Sequence, residues 1–297
     1  MNRKISRATI ICLLAILAVG IAACRGQSTA PDTKDAEKCD VATSERTATE
    51  QNIREGVDPK ILAALDRLEK LGETVKDLQA KLTLEKWETL VDDRTIKEGQ
   101  LYYQRNEKEI RFRVSFDVSR HGKQTVADPE HFVFTGGWLT YRQERGKRED
   151  RYQVTRPGQP SSDLMRIGKS PLPIPIGQKT EDVLKNFEVS LLEQNEQTDP
   201  PEIKTVHLKL VPRKGTELAV SHTRLEFWLA EPDCLVVRSQ WENDSGDIFT
   251  ADMNNIQVNK GIKDKIFQLP KLPRGYEVED WPLPEEPEEK NNLPPGP

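Results

Sequence analysis

Two hydrophobic periods run along this chain, and the change from one to the other marks where its main folded unit becomes a sheet. From Asp58-Pro59, an N-cap residue with proline at the first helical position, Ile61, Leu62, Leu65, Leu68, Val75 and Leu78 recur at helical spacing. The pattern predicts an amphipathic helix, bent or split at Gly72, whose apolar stripe lies on a sheet. Downstream the period becomes two. In Ile110-Arg111-Phe112-Arg113-Val114-Ser115-Phe116-Asp117-Val118, five apolar residues alternate with four polar ones, as in an antiparallel strand with one face buried and one wet. Further strands are predicted at residues 87–91, 100–104, 131–134, 138–142 and 151–155, joined as a meander by short polar or glycine-containing connections. Pro171, Pro173 and Pro175 forbid regular structure, and a short capped helix opens at Thr180-Glu181-Asp182-Val183-Leu184. Strands resume at 188–192, 204–211, 224–229, 235–241 and 248–258, with Asp244-Ser245-Gly246-Asp247 as a hairpin turn.

The two ends of the chain follow other rules. Arg3, Lys4 and Arg7 precede an apolar stretch from Ile10 to Val19, a signal-peptide plan too short for a comfortable membrane span. The run closes on Ile21-Ala22-Ala23-Cys24, which resembles a bacterial lipoprotein box; cleavage between Ala23 and Cys24 would leave an acylated cysteine as the membrane anchor. The plainer alternative is a secretory signal that happens to end near a cysteine. Residues 1–23 are thus read as signal, 24–57 as a disordered tether without aromatics, 58–280 as one folded domain, and 281–297 as a disordered tail. That tail holds six prolines and the run Glu285-Glu286-Pro287-Glu288-Glu289.

Charge narrows the function classes. Without the signal the chain carries 41 basic and 49 acidic residues, net −8, which is not the balance of a nucleic-acid binder. Cys12 leaves with the signal and Cys24 takes lipid, so Cys39 and Cys234 remain as a candidate disulfide in an oxidising compartment, with a buried free thiol at Cys234 as the other reading. The four histidines His121, His131, His207 and His222 lack metal-ligand spacing. No nucleophile elbow, phosphate loop or dinucleotide fingerprint occurs, so neither a metal, a cofactor nor a catalytic residue is assigned. The charge-dense run from Arg142 to Arg151 reads as a solvated hairpin tip. The alternating positions Phe112, Val114, Phe116, Phe132, Phe134, Leu225, Phe227 and Leu229 are the candidate apolar cavity face; ordinary sheet core is the plainer role for each, and Trp138 and Trp228 fit either face.

The order of these pieces resembles a known family. The opening helix, Lys97-Glu98-Gly99-Gln100-Leu101-Tyr102-Tyr103, the Arg111-Phe112-Arg113 strand and Gly137-Trp138-Leu139-Thr140-Tyr141 look like the LolA/LolB group of bacterial lipoprotein carriers and receptors. His207-Leu208-Lys209-Leu210-Val211-Pro212, Leu225-Glu226-Phe227-Trp228-Leu229, Asn255-Ile256-Gln257-Val258-Asn259, Ile266-Phe267-Gln268-Leu269-Pro270 and Pro273-Arg274-Gly275-Tyr276 follow that group's closing meander. The resemblance implies a mainly β, α+β fold: a curved, unclosed antiparallel half-barrel whose concave apolar face lies under a helical lid. It implies a ligand role for acyl chains of lipoproteins or other lipids, without catalysis, in the periplasm-facing envelope. An anchored chain departs from a diffusing carrier and points to a receptor, an inserting factor or a lipid-responsive regulator, located at the outer membrane. The alternative is an interaction or stress-sensing scaffold that binds a protein partner at a sheet edge or through the acidic tail.

Overall fold

The computed structural model describes residues 53–106, 109–156, 176–195, 199–200, 203–216 and 218–284. The signal, most of the tether with Cys24 and Cys39, the proline stretch 171–175 and the tail beyond Pro284 lie outside the described residues. Helix α1 (Pro59–Thr74) precedes six strands: β1 (Asp77–Glu88), β2 (Asp93–Arg105), β3 (Ile110–His121), β4 (Gln124–Thr135), β5 (Trp138–Gln143) and β6 (Arg148–Gln153). After α2 (Thr180–Asn186) come β7 (Phe187–Leu192), β8 (Thr205–Pro212), the single turn α3 (Leu218–Ser221), β9 (His222–Ala230), β10 (Leu235–Asn243), β11 (Ile248–Val258) and β12 (Glu277–Trp281). All twelve strands form one sheet in the order β12-β6-β5-β4-β3-β2-β1-β11-β10-β9-β8-β7. The edges β12 and β7 do not meet, so the half-barrel is unclosed, as expected.

Helix α1 begins as the sequence implies, with Asp58 Oδ1 accepting the Lys60 amide at 2.7 Å and Pro59 at the first turn. It ends earlier than its periodicity suggests. Val75 lies just past the helix, and Leu78 opens the alternation Leu78, Ala80, Leu82 on β1. A spacing of three fits helix or strand; β1 pairs with β2 on one side and β11 on the other, and those two ladders decide. The expected strand at 87–91 is likewise cut: β1 stops at Glu88, and Leu90 and Val91 stand exposed in the turn before β2. The expected side-chain cap at Thr180 is absent too. Lys179 is the N-cap without a side-chain bond, and Thr180 instead ties α2 to α1, its hydroxyl donating to Asp66 at 2.8 Å and its amide to Glu69 at 3.0 Å.

One face of the sheet, called inner here, packs on α1. Ile61, Ala64, Leu65 and Leu68 join the inward residues of β1 to β5 and β8 to β11 in a single core. The outer face carries a strap. Past β11 the chain crosses β3 to β5 on the outside: Asp264 pairs with Arg111 at 2.6 Å, the Ile266 carbonyl accepts from Arg113 at 2.9 Å, and the Pro270 carbonyl accepts from Arg142 at 2.9 Å. Phe267 is buried beneath the Arg111 guanidinium, 4.8 Å from ring centre to carbon. This cover corrects the reading of the 142–151 run as a solvated tip. Beneath it Arg142 and Glu149 are 4% and 1% exposed, and Asp150, opposite Tyr141 on the inner face, is 1% exposed; only Arg145, Gly146 and Lys147 form an exposed tip.

The strap also buries a titrating group. His131 Nδ1 lies 3.0 Å from Ser115 Oγ, which Arg113 Nε meets at 2.7 Å. Burial, and after it the Arg113 charge, hold the His131 imidazole below its usual range against the pull of Glu144; burial does the same at His222. A depressed histidine stays neutral in the fold while the unfolded chain already takes up a proton, so this stability is complete above about pH 6.5 and is lost as pH falls toward the folded value. Melting temperature is expected to drop steadily between pH 7 and 5, and His131→Gln to flatten part of that slope. An unchanged slope in the variant would assign the effect elsewhere.

Candidate functional site

Sequence reasoning named eight cavity-face residues on three strands, and the register brings them to one face. Phe112 on β3 pairs with Phe134 on β4, and Val114 with Phe132, while Leu225, Phe227 and Leu229 lie in the corresponding row of β9. Ring contacts bind the first group: Phe112 and Phe134 stack at 5.4 Å, Phe132 and Tyr141 stack at 4.4 Å, and Phe116 meets Phe132 edge-on at 6.5 Å. All eight are buried. Between the β3–β4 group and the β9 group lie β2, β1, β11 and β10, whose Leu101, Leu82, Met253 and Val236 complete the same floor. Leu82 was missed in sequence because the alternation Leu78-x-Ala80-x-Leu82 is masked by the helical spacing that precedes it; Leu101, Val236 and Met253 lie in expected strands whose pairing order alone brings them to this face. Parity is now assigned: Trp138 and Trp228 belong to the outer face, Trp228 donating to Asp199 at 2.7 Å and stacking on His207 at 3.9 Å.

Helix α1 fills the hollow. Leu65 and Leu68 reach Val183, Leu208, Leu210 and Phe227, and the space left among them is a cavity of about 10 Å³, room for one water-sized sphere. Among the described residues, polar bonds hold α1 to the sheet chiefly at its C-terminal end. There Arg105 donates to the Gly72 carbonyl, and Asn259 accepts from the Lys76 amide at 2.8 Å while donating to the Thr74 carbonyl at 2.9 Å. Midway along, the Arg67 guanidinium approaches the Cys234 sulfur at 3.9 Å. Cys234 is itself buried and its candidate partner Cys39 lies outside the described residues. The helix is instead cross-linked to α2, Arg54 bridging Asp66 at 2.8 Å and Glu181 at 2.7 Å.

One end of the inner face is polar. Lys97 pairs with Glu130 at 2.7 Å above the Phe116 ring, and Glu130 also accepts from the Tyr141 hydroxyl at 3.3 Å. Gln143 donates to that hydroxyl at 2.5 Å. Burial, with the Glu130 charge behind it, pushes the Tyr141 hydroxyl far above its ordinary range, so it serves as a donor and not as a base. The arrangement is amphiphilic: an apolar floor under a helix, with a charged, hydrogen-bonding end.

Comparison with solved structures finds distant likenesses. A LolA superfamily protein from Nitrosomonas europaea aligns over 70% of this chain and 97% of its own at 9% identity and TM-score 0.32. An uncharacterised conserved protein from Thermus thermophilus aligns over 74% and 98% at 13% identity and TM-score 0.42. The MucA/MucB complex from Pseudomonas aeruginosa aligns over 70% of this chain and 61% of that one, at 13% identity and TM-score 0.40. These likenesses assign no ligand. No family model and no curated protein matches the chain. The half-barrel here departs from a purely antiparallel sheet in one place, the parallel pairing of β12 with β6.

Proposed function

We propose that this chain is a non-catalytic binding protein of the bacterial envelope. On this reading it is held in the outer membrane by acylated Cys24, faces the periplasm, and takes acyl chains of lipoproteins or a similar apolar ligand between α1 and the inner face. What supports the reading is an apolar face spanning most of the sheet under a helix of sixteen residues whose polar ties to the sheet gather at one end. The helix can therefore swing from its Thr74 end once its ties to the α2 side, Thr180 to Asp66 and Glu69 and the Gly177 amide to the Leu68 carbonyl, are released. Ile61, Leu65 and Leu68 each contribute roughly 1.5–3 kcal/mol of burial. A ligand that replaces all three must bring about six to eleven methylenes at ~0.8 kcal/mol each. Long chains thus open the lid and short ones do not.

The test is a photoreactive fatty-acid probe on delipidated full-length protein. A palmitoyl-length probe is expected to give saturable uptake with adducts on α1, β3 and β9, and a butanoyl probe none. Absence of saturable uptake, or adducts confined to the outer face, would remove the ligand role. Mass spectrometry of protein extracted from its own membrane checks the anchor: acyl mass on Cys24 is expected, and an unmodified Cys24 in a chain lacking residues 1–23 would leave a plain secretory signal.

A further inference from the structure

Every residue of the last strand, β12, is exposed, although the chain before it is pinned at Pro270 and at Tyr276, which donates to Glu144. Its hold on β6 is the parallel ladder, the Glu277 amide donating to the Lys147 carbonyl at 2.9 Å, and a few side chains, and beyond it the Leu283 amide donates to Gln153 at 3.1 Å and Arg156 to the Pro284 carbonyl at 2.5 Å. Glu279 meets Arg148 at 2.9 Å and Asp280 lies 3.7 Å from Arg151, with both carboxylates more than half exposed. Exposed pairs of this kind contribute little to stability. Trp281 stacks on Tyr152 with ring centres 6.1 Å apart. Meanwhile Arg148 and Arg151 already have partners within β6, Asp150 at 2.7 Å and Glu149 at 2.7 Å. The carboxylates of β12 are second partners, so β6 keeps its place in the sheet without them.

Charge says what the edge accepts. β6 itself carries two basic and two acidic side chains, and the flanking Arg145, Lys147 and Arg156 add three positive charges, whereas residues 277–281 carry three acidic ones, net −3. With β12 lifted away, β6 presents a row of unpaired backbone groups beside two arginines and a tyrosine ring, the features by which a sheet edge takes up an extended peptide.

The geometry points to the outer edge of β6 as a docking edge for an acidic, aromatic-bearing extended segment of a partner protein, running parallel to β6, with β12 as its tethered internal occupant. The tether keeps that occupant at an effective concentration on the order of millimolar. A free segment of similar affinity is therefore largely shut out until β12 is released. This inference stands apart from the acyl-binding reading, since β6's outer edge lies away from α1.

The experiment uses full-length protein and a fluorescent synthetic peptide matching residues 275–284. In the wild type, binding is expected to be weak. In a chain carrying Glu279→Lys, Asp280→Lys and Trp281→Ala together, the β6 amides lose hydrogen-exchange protection and the peptide binds at least ten times more tightly, with the melting temperature nearly unchanged. A peptide with lysine at 277, 279 and 280 does not bind. Undiminished β6 protection in the variant, or a released edge that takes up no peptide, overturns the inference. Wild-type dimers that exchange β12 between copies would give the edge to a second copy and equally overturn the partner assignment.

Discussion

Replacing Gly99 with alanine is expected to cost about 3 kcal/mol or more and to leave little folded protein at physiological temperature. Gly99 sits on β2 where its ladder with β3 slips register between Glu98 and Gly99, opposite Phe116. A Cβ there would stand 1.8 Å from the Ser115 carbonyl oxygen and 2.7 Å from Phe116 Cα. Both obstacles are backbone atoms, so no rotamer change relieves the clash; the two central strands must part or shift. Because side-chain direction alternates at every residue, a one-residue shift would turn Phe112, Val114 and Phe116 to the outer face. Urea unfolding with Gly215→Ala as comparison checks this. Gly215 has open space around it and φ +87, so its substitution carries only the left-handed backbone penalty of roughly 1–2 kcal/mol. Equal losses at the two sites would mean that the sheet is more pliant around Gly99 than these contacts imply.

Glu149→Leu is expected to destabilise by about 3–5 kcal/mol, because it strands a buried guanidinium. Arg142 Nε donates to Glu149 Oε2 at 2.6 Å, with the two side chains 5% and 2% exposed. Arg151 shares the same carboxylate at 2.7 Å but reaches solvent and can rehydrate. Arg142 keeps only the Pro270 carbonyl and a distant Glu144, 3.8 Å away. Adding Arg142→Met should restore most of the loss, since removing both charges removes the uncompensated one. A double variant as unstable as Glu149→Leu alone would mean that the strap, released from Arg142, is itself the larger contributor. Little dependence on salt up to molar concentration is expected for this pair, in contrast to the exposed Arg148–Glu279 bridge.

These two residues show what was legible. Gly99 was readable only as part of a resemblance, since nothing local in Lys97-Glu98-Gly99-Gln100 says that another backbone passes within contact distance. Glu149 lies in a run of alternating charges that looks soluble from sequence, because charge runs usually cover a wet face. It is buried because a segment more than a hundred residues later lies across it, and beyond Asp264 and Phe267 that segment engages through its backbone; what Arg113 and Arg142 bind are the carbonyls of Ile266 and Pro270. The inner-face set was readable, as Phe112, Val114 and Phe116 repeat at a period of two whatever the topology. Trp281, expected to open a disordered tail, ends β12 instead; the five residues of that strand are exposed and three of them are acidic, so they carry no burial signature.

By itself the sequence determined the class of the fold, the inward row of β3, β4 and β9, the start of α1 and the existence of two chemically distinct ends, because each of these rests on local periodicity or composition. Only the tertiary structure decided where α1 stops, which strands stand between the two aromatic and aliphatic groups, how closely the helix fills the hollow, and that the chain returns over the outer face to pair with β6. Those features depend on backbone groups and close approaches between residues far apart in the chain, and a backbone carbonyl or amide reads the same in every residue that offers one.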